Sequence, residues 1–143
     1  MIKFVASILL VCCTLLWSCT EKQEQGSSNV QTGNGPVLEL LDGNTFDFGT
    51  VQEGEVVEHT FKFKNAGSEP LVISNITSSC GCTTPEWPHE PIAPDSISSV
   101  QVRFDTKNKV GSQLKSVSIY ANTDPVNTDL VLRGTSNAIE KPE

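Results

Sequence analysis

Two cysteines separated by one glycine, Cys80-Gly81-Cys82, are the residues of this chain best suited to chemistry. Thiols this close can pack reduced as small apolar groups, close a local disulfide, hold a soft metal ion or cycle as a redox dithiol. An extended chain points residues two apart to one face. It would set their Cα atoms about 6.5 Å apart, at the upper limit for a disulfide. Gly81 would ease the bend that a bridge needs. Packed reduced thiols are the first expectation and a local disulfide the second, ahead of metal binding and redox cycling.

His89 is the imidazole nearest to the pair in sequence. Cys80, Cys82 and His89 together fall short of the four protein ligands of structural zinc. They would suit a soft ion such as Cu(I) better, and no cofactor is expected beyond such an ion. Met1 is the one methionine of the chain, so a thioether copper site is excluded once the N-terminal segment is removed. Set between Pro88 and Glu90, His89 reads more simply as an exposed loop histidine. His59 falls on the inward side of its strand beside Phe61 and reads as a partly buried, structural histidine. Trp87, held extended by Pro88, either caps the core or stacks on a ligand, and the cap is preferred. Asp95-Ser96-Ile97 resembles a short bacterial O-glycosylation motif that would place a sugar on Ser96; the plain alternative is a turn before a strand. No nucleophile elbow, paired-carboxylate spacing or phosphate-binding glycine loop is present.

The elements that must position these residues read as strands. Phe46-Asp47-Phe48-Gly49-Thr50-Val51 alternates with period two, as does the run around Val57, Phe61 and Phe63. Leu71 to Ile76 starts a third strand that runs into the cysteines. Pro85, Pro88, Pro91 and Pro94 then mark an irregular connection, because no central strand tolerates such proline density. Alternation returns at Ser98-Val100-Val102-Phe104, at Val117-Ile119-Ala121 and at Leu130 to Leu132. No helical period competes. About seven short strands with regular turn signals predict an all-β, antiparallel sandwich of immunoglobulin type.

The N-terminus reads as an address. Lys3 and the apolar run Phe4 to Trp17 make an export signal, too short for a bilayer span of about 20 residues. Leu16-Trp17-Ser18-Cys19 resembles the bacterial lipobox, with Trp17 departing from the usual small residue. The resemblance implies that Cys19 becomes a lipidated N-terminus, carrying a diacylglycerol and a second acyl chain that together anchor stably. Residues 1–18 are then the signal, 19–36 the lipidated end and a polar Gly/Ser-rich tether, 37–136 the folded domain and 137–143 a tail. Of the five cysteines, Cys80 and Cys82 alone stay free for chemistry. Glu21-Lys22-Gln23-Glu24 resembles acidic sorting signals and favours the outer over the inner membrane of a bacterial envelope. A net charge of −7 excludes nucleic acid as a partner, since no basic patch exists to neutralise phosphates. The expected partners are the membrane, through the anchor, and another envelope protein.

The domain resembles the family catalogued as domain of unknown function 1573, grouped with the immunoglobulin-like sandwiches of Hydin and the major sperm protein. The matching residues are Phe46 to Val51, Phe61 to Gly67, Pro70 to Ile73, Ser79 to Thr83, Pro91 to Pro94 and Leu132 to Gly134. The resemblance implies a sandwich and, by analogy with its relatives, a non-catalytic interaction module. The anchoring argument gives a first prediction. Cys19→Ala moves the protein out of the membrane fraction or blocks its maturation, read by fractionation and immunoblotting; unchanged processing and retention would end the lipoprotein reading.

Overall fold

The computed structural model describes residues 35–139. The export signal, Cys19, the tether up to residue 34 and the end of the tail lie outside them. Eight strands follow in order: β1 (Leu38–Leu40), β2 (Thr45–Gln52), β3 (Val56–Asn65), β4 (Ile73–Ser78), β5 (Thr83–Glu86), β6 (Ile97–Asp105), β7 (Gly111–Ala121) and β8 (Asn127–Asn137). They form two four-stranded sheets, ordered β1-β3-β6-β5 and β2-β8-β7-β4. The all-β sandwich is as the alternation requires.

Period two decides which face each strand buries. In β3, Val57, Phe61 and Phe63 turn inward, while Glu58, Thr60 and Lys62 stay exposed. Val100, Val102 and Phe104 of β6 face Val117 and Ile119 of β7 and Leu130 and Leu132 of β8 across one core. Each fully buried side chain of this kind contributes about 1.5–3 kcal/mol. His59 stacks on Phe46 at 3.8 Å and meets Phe61 edge-on at 4.6 Å. Burial lowers its pKa against the opposing pull of Asp42, so the neutral ring is the form that packs. Trp87 is partly buried against the core, as a cap should be.

Four details differ from the sequence reading. The stretch holding Pro85 is a strand, β5, because it lies at a sheet edge, where a missing N–H costs no ladder bond. β2 pairs with β8 in parallel, so the sandwich is not wholly antiparallel. The chain switches sheets at 41–44 without turning back. A bulge between Asp47 and Thr50 accompanies this pairing. Gly49 takes φ +68° there and donates to Asp47 Oδ1 at 2.9 Å. Leu71 makes a lone bridge to Ile92, and β4 proper begins at Ile73. Finally, Gly35 and Pro36, expected at the end of the tether, touch the domain: Pro36 is buried, and Ser68 donates to the Gly35 carbonyl at 3.2 Å.

One buried polar side chain ties these pieces together. Asn65, 0% exposed, donates through Nδ2 to the carbonyls of Glu69 at 2.8 Å and Ile92 at 3.0 Å. Its Oδ1 accepts from Val37 N at 3.3 Å and Gly67 N at 3.0 Å. Its backbone also bonds Ser96 and Asp95. Removing the amide strands several buried backbone groups, each worth about 1–3 kcal/mol when unpaired. Asn65→Ala is therefore expected to cost about 3 kcal/mol in chemical denaturation. The exposed Asn75→Ala serves as the control. A loss below about 1 kcal/mol for Asn65→Ala would refute the assignment.

Candidate functional site

β4 is the edge of one sheet and β5 the edge of the other, and residues 79–82 carry the chain between them. This corner is pinned from both sides. On the β7 side, Ser79 N donates to Ser116 O at 2.9 Å, and Ser116 N donates to Ser79 Oγ at 3.1 Å. On the β6 side, Asp105 N donates to Cys82 O at 3.0 Å. Within the corner, Thr83 N and Ser78 Oγ both donate to Cys80 O, at 3.2 Å and 3.0 Å. The segment is thus a tight turn rather than an extended strand.

That turn decides the state of the cysteines. The two Cα atoms stand 5.3 Å apart, and Cys80 and Cys82 are joined as a disulfide. Packed reduced thiols, the first expectation, are not what the structure contains. The spacing estimate assumed extended backbone, whereas the Cys80 carbonyl accepts from Thr83 N and the chain folds back at Gly81. Both cysteines are half-buried, and Cys82 packs against the core. Cys80 Sγ lies 3.5 Å from Thr83 Oγ1, and Thr83 is only 3% exposed.

His89 does not join them. β5 pairs from Thr83 opposite Phe104 to Glu86 opposite Gln101, so it leads the chain away from the cysteines at about 3.3 Å per residue. Exposed His89 instead lies 5.1 Å from the Trp87 ring, on the way to Ile92. The ligand set Cys80, Cys82 and His89 is not assembled. Among the described residues no group of three or more His, Cys, Asp or Glu side chains converges. Ser96 sits in the turn before β6, its N–H bonded to Ala93 O at 3.1 Å. Its neighbour Asp95 adopts φ +62° and pairs with Lys64 at 2.7 Å. That hydrogen bond lowers the Asp95 pKa and raises that of Lys64.

Lys115 lies over Phe104, the β6 residue opposite Thr83, and was not singled out from the sequence. It lies opposite buried Leu132, on the inward side of β7, and its Nζ stands 5.2 Å from the Phe104 ring centroid. Phe104 pairs in turn with Thr83. The signal was available: the alternation Val117-Ile119-Ala121, continued back by one repeat, puts Lys115 on the inner face.

Two face-to-face sheets joined by this corner define an immunoglobulin-like sandwich. The chain belongs to the family described as "Protein of unknown function (DUF1573)", which matches residues 40–136. No curated protein matches the sequence. Among solved structures, a protein of unknown function from Porphyromonas gingivalis W83 is similar at 19% identity and TM-score 0.63, over 75% of this chain and 50% of that one. The PapD-like domain 7 of human CEP192 is similar at 13% identity and TM-score 0.58, over 86% of this chain and 99% of the domain. The secreted serine protease VesC from Vibrio cholerae matches at 13% identity and TM-score 0.54, over 73% of this chain and 23% of the protease. The chain thus spans half or less of the Porphyromonas and Vibrio proteins, and likenesses at such identity establish the fold alone.

The bridge closes a very short loop, so its entropic contribution is only about 1–2 kcal/mol. The double variant Cys80→Ser, Cys82→Ser is expected to stay folded, with its unfolding free energy from urea denaturation lowered by that amount. Complete unfolding of the variant would show that the bridge is an indispensable staple.

Proposed function

We propose that this chain is a non-catalytic, lipid-anchored module of the bacterial cell envelope. Cys19 holds it to the membrane, the outer one in preference to the inner, and the sandwich presents one sheet face to a protein partner.

The observation that supports this reading is the contrast between the two outer faces. On the β1-β3-β6-β5 sheet, charged side chains recur. Glu58 pairs with Arg103 at 2.7 Å, and Glu39 lies in register with Lys64. Such a face is well solvated. The outer face of β2-β8-β7-β4 is different. β7 presents Ser112, Leu114, Ser116, Ser118 and Tyr120, and β8 adds Val131 and Thr135. Of its charges, Arg133 is paired with Asp47 at 3.2 Å, and Asp129 accepts a hydrogen bond from Ser118. Leu114 is 70% exposed. It borders a shallow groove floored by Gly49, Thr50 and Thr135. Few free charges, many hydroxyls and an exposed apolar residue are what the centre of an interface looks like.

A photo-reactive amino acid placed at Leu114, and in a parallel strain at Lys62 on the charged face, tests this in cells. A discrete protein adduct is expected from position 114, absent from position 62 and lost when Cys19→Ala mislocalises the chain. Equal labelling at the two positions, or none at either, would overturn the reading.

A further inference from the structure

We propose that the Cys80–Cys82 disulfide is exchangeable, reduced and reoxidised by a dithiol protein, with Thr83 and Lys115 positioned to stabilise Cys80 as the departing thiolate. The proposal goes beyond the docking reading and uses none of its residues.

The corner is open where a partner would approach. Gly81 is exposed, and apart from Cys80 and Cys82 no residue has a heavy atom within 4 Å of where its Cβ would stand. A staple is weakly needed there, since the corner is already held by hydrogen bonds to both sheets. What the corner has instead is a cation turned toward the core. Lysine is seldom buried without a partner. The three ion pairs among the described residues use Lys64, Arg103 and Arg133, not Lys115. Its ammonium rests over the Phe104 ring. Asp105, at the end of β6 in the facing sheet, accepts from Lys107 N at 2.8 Å and is exposed. Lys115 neighbours Ser116, which is bonded to Ser79, so it reaches the same end of the sandwich as Cys80. Reduction of the bridge would add a thiolate to the negative groups at that end, which include the carboxylate of Asp105. A nearby cation and a hydroxyl donor both favour the thiolate.

The geometry orders the exchange. A partner thiolate attacks Cys82 Sγ, the sulfur–sulfur bond breaks, and its electron pair leaves on Cys80 Sγ. There the thiolate accepts a hydrogen bond from Thr83 Oγ1, 3.5 Å away in the oxidised form. The better-stabilised sulfur is the better leaving group, so Cys80 departs and Cys82 carries the mixed disulfide. The partner's second thiolate then attacks its own bridged sulfur and releases Cys82, which takes a proton from solvent. The partner dithiol is oxidised by two electrons and the pair is reduced; reversal restores the disulfide.

The test uses the full chain, equilibrated with mixtures of reduced and oxidised dithiothreitol and quenched by alkylation. Mass spectrometry of the Cys80–Cys82 peptide keeps the N-terminal cysteines out of the measurement. The pair is expected to be reduced while far-UV circular dichroism still reports a folded sandwich. Lys115→Gln is expected to shift the equilibrium toward the disulfide about tenfold, equivalent to about 30 mV, and Lys115→Arg to restore it. A shift below about threefold for Lys115→Gln, or failure of Lys115→Arg to restore it, overturns the role of the charge. Wild-type protein gives a second check that requires no variant. Brief exposure to glutathione is expected to leave the mixed disulfide on Cys82. Its capture on Cys80, or reduction only upon unfolding, defeats the proposal.

Discussion

The Asn65 side chain is the contact on which one end of the sandwich depends. A neutral amide has two donors and an acceptor that can take two hydrogen bonds, and all are used here. They reach the start of β1, the turn after β3 and the proline-rich connection before β6. Those segments carry few apolar groups and could not hold themselves in place by burial. With Asn65 at the end of β3, the turn closes and Leu71 and Ile92 meet as a bridge. The proline connection is thereby tied to the body of the fold, and Trp87 can pack on the core. A carboxylate at the same site could not donate, and an aliphatic residue could neither donate nor accept.

The opposite end is built differently. There the inner faces of β7 and β8 give way to Gln113, Lys115, Gly134 and Ser136. Thr83 and Thr106 come in from the other sheet. Thr106 Oγ1 donates within the Glu53–Glu55 turn, with the Glu55 carbonyl at 2.7 Å. Gly134 leaves the room that the Phe48 ring occupies. The Ser136 hydroxyl is the one buried side-chain oxygen or nitrogen without a partner among the described residues; nothing in the structure explains it. An apolar middle supplies the stability, so the ends can spend theirs on other things. The Asn65 end closes loops, and the disulfide end keeps polar groups near an accessible bridge.

Division of labour extends to the faces. The Glu58–Arg103 and Lys64–Asp95 pairs and the lysines between them give the β1-β3-β6-β5 sheet a solvated exterior, each exposed pair contributing at most about 1 kcal/mol. The other sheet carries one such pair, Asp47–Arg133, and otherwise has hydroxyls and Leu114 facing out. Three of the four edges are also guarded: β1 is three residues long, β5 contains Pro85 and β2 is broken by a bulge. Each of these devices discourages edge-to-edge pairing.

Sequence alone determined what depends on short-range repetition. Alternation of Phe61 and Phe63 with Lys62 and Lys64, and of Val100, Val102 and Phe104 with their polar neighbours, was enough to specify strands, core and sandwich. Burial acts on every second residue whichever strand lies alongside. The inward placement of His59 followed by the same logic, and the capping position of Trp87 from its size and the Pro88 after it. Partnership between distant segments was not readable. Pro85 argued against a strand until β5 proved to be an edge. The parallel pairing of β2 with β8 leaves no local mark. Cys80 and Cys82 close a bridge because two sheets pin the corner between them, a constraint set by Ser116 and Asp105, both more than twenty residues away in sequence. For the same reason His89, close in sequence, is carried off along β5, while Lys115, far in sequence, is brought over Phe104. Side-chain period is a property of the chain itself. Which strands neighbour one another, and hence which groups share a site, is decided only when the two sheets close over a common core.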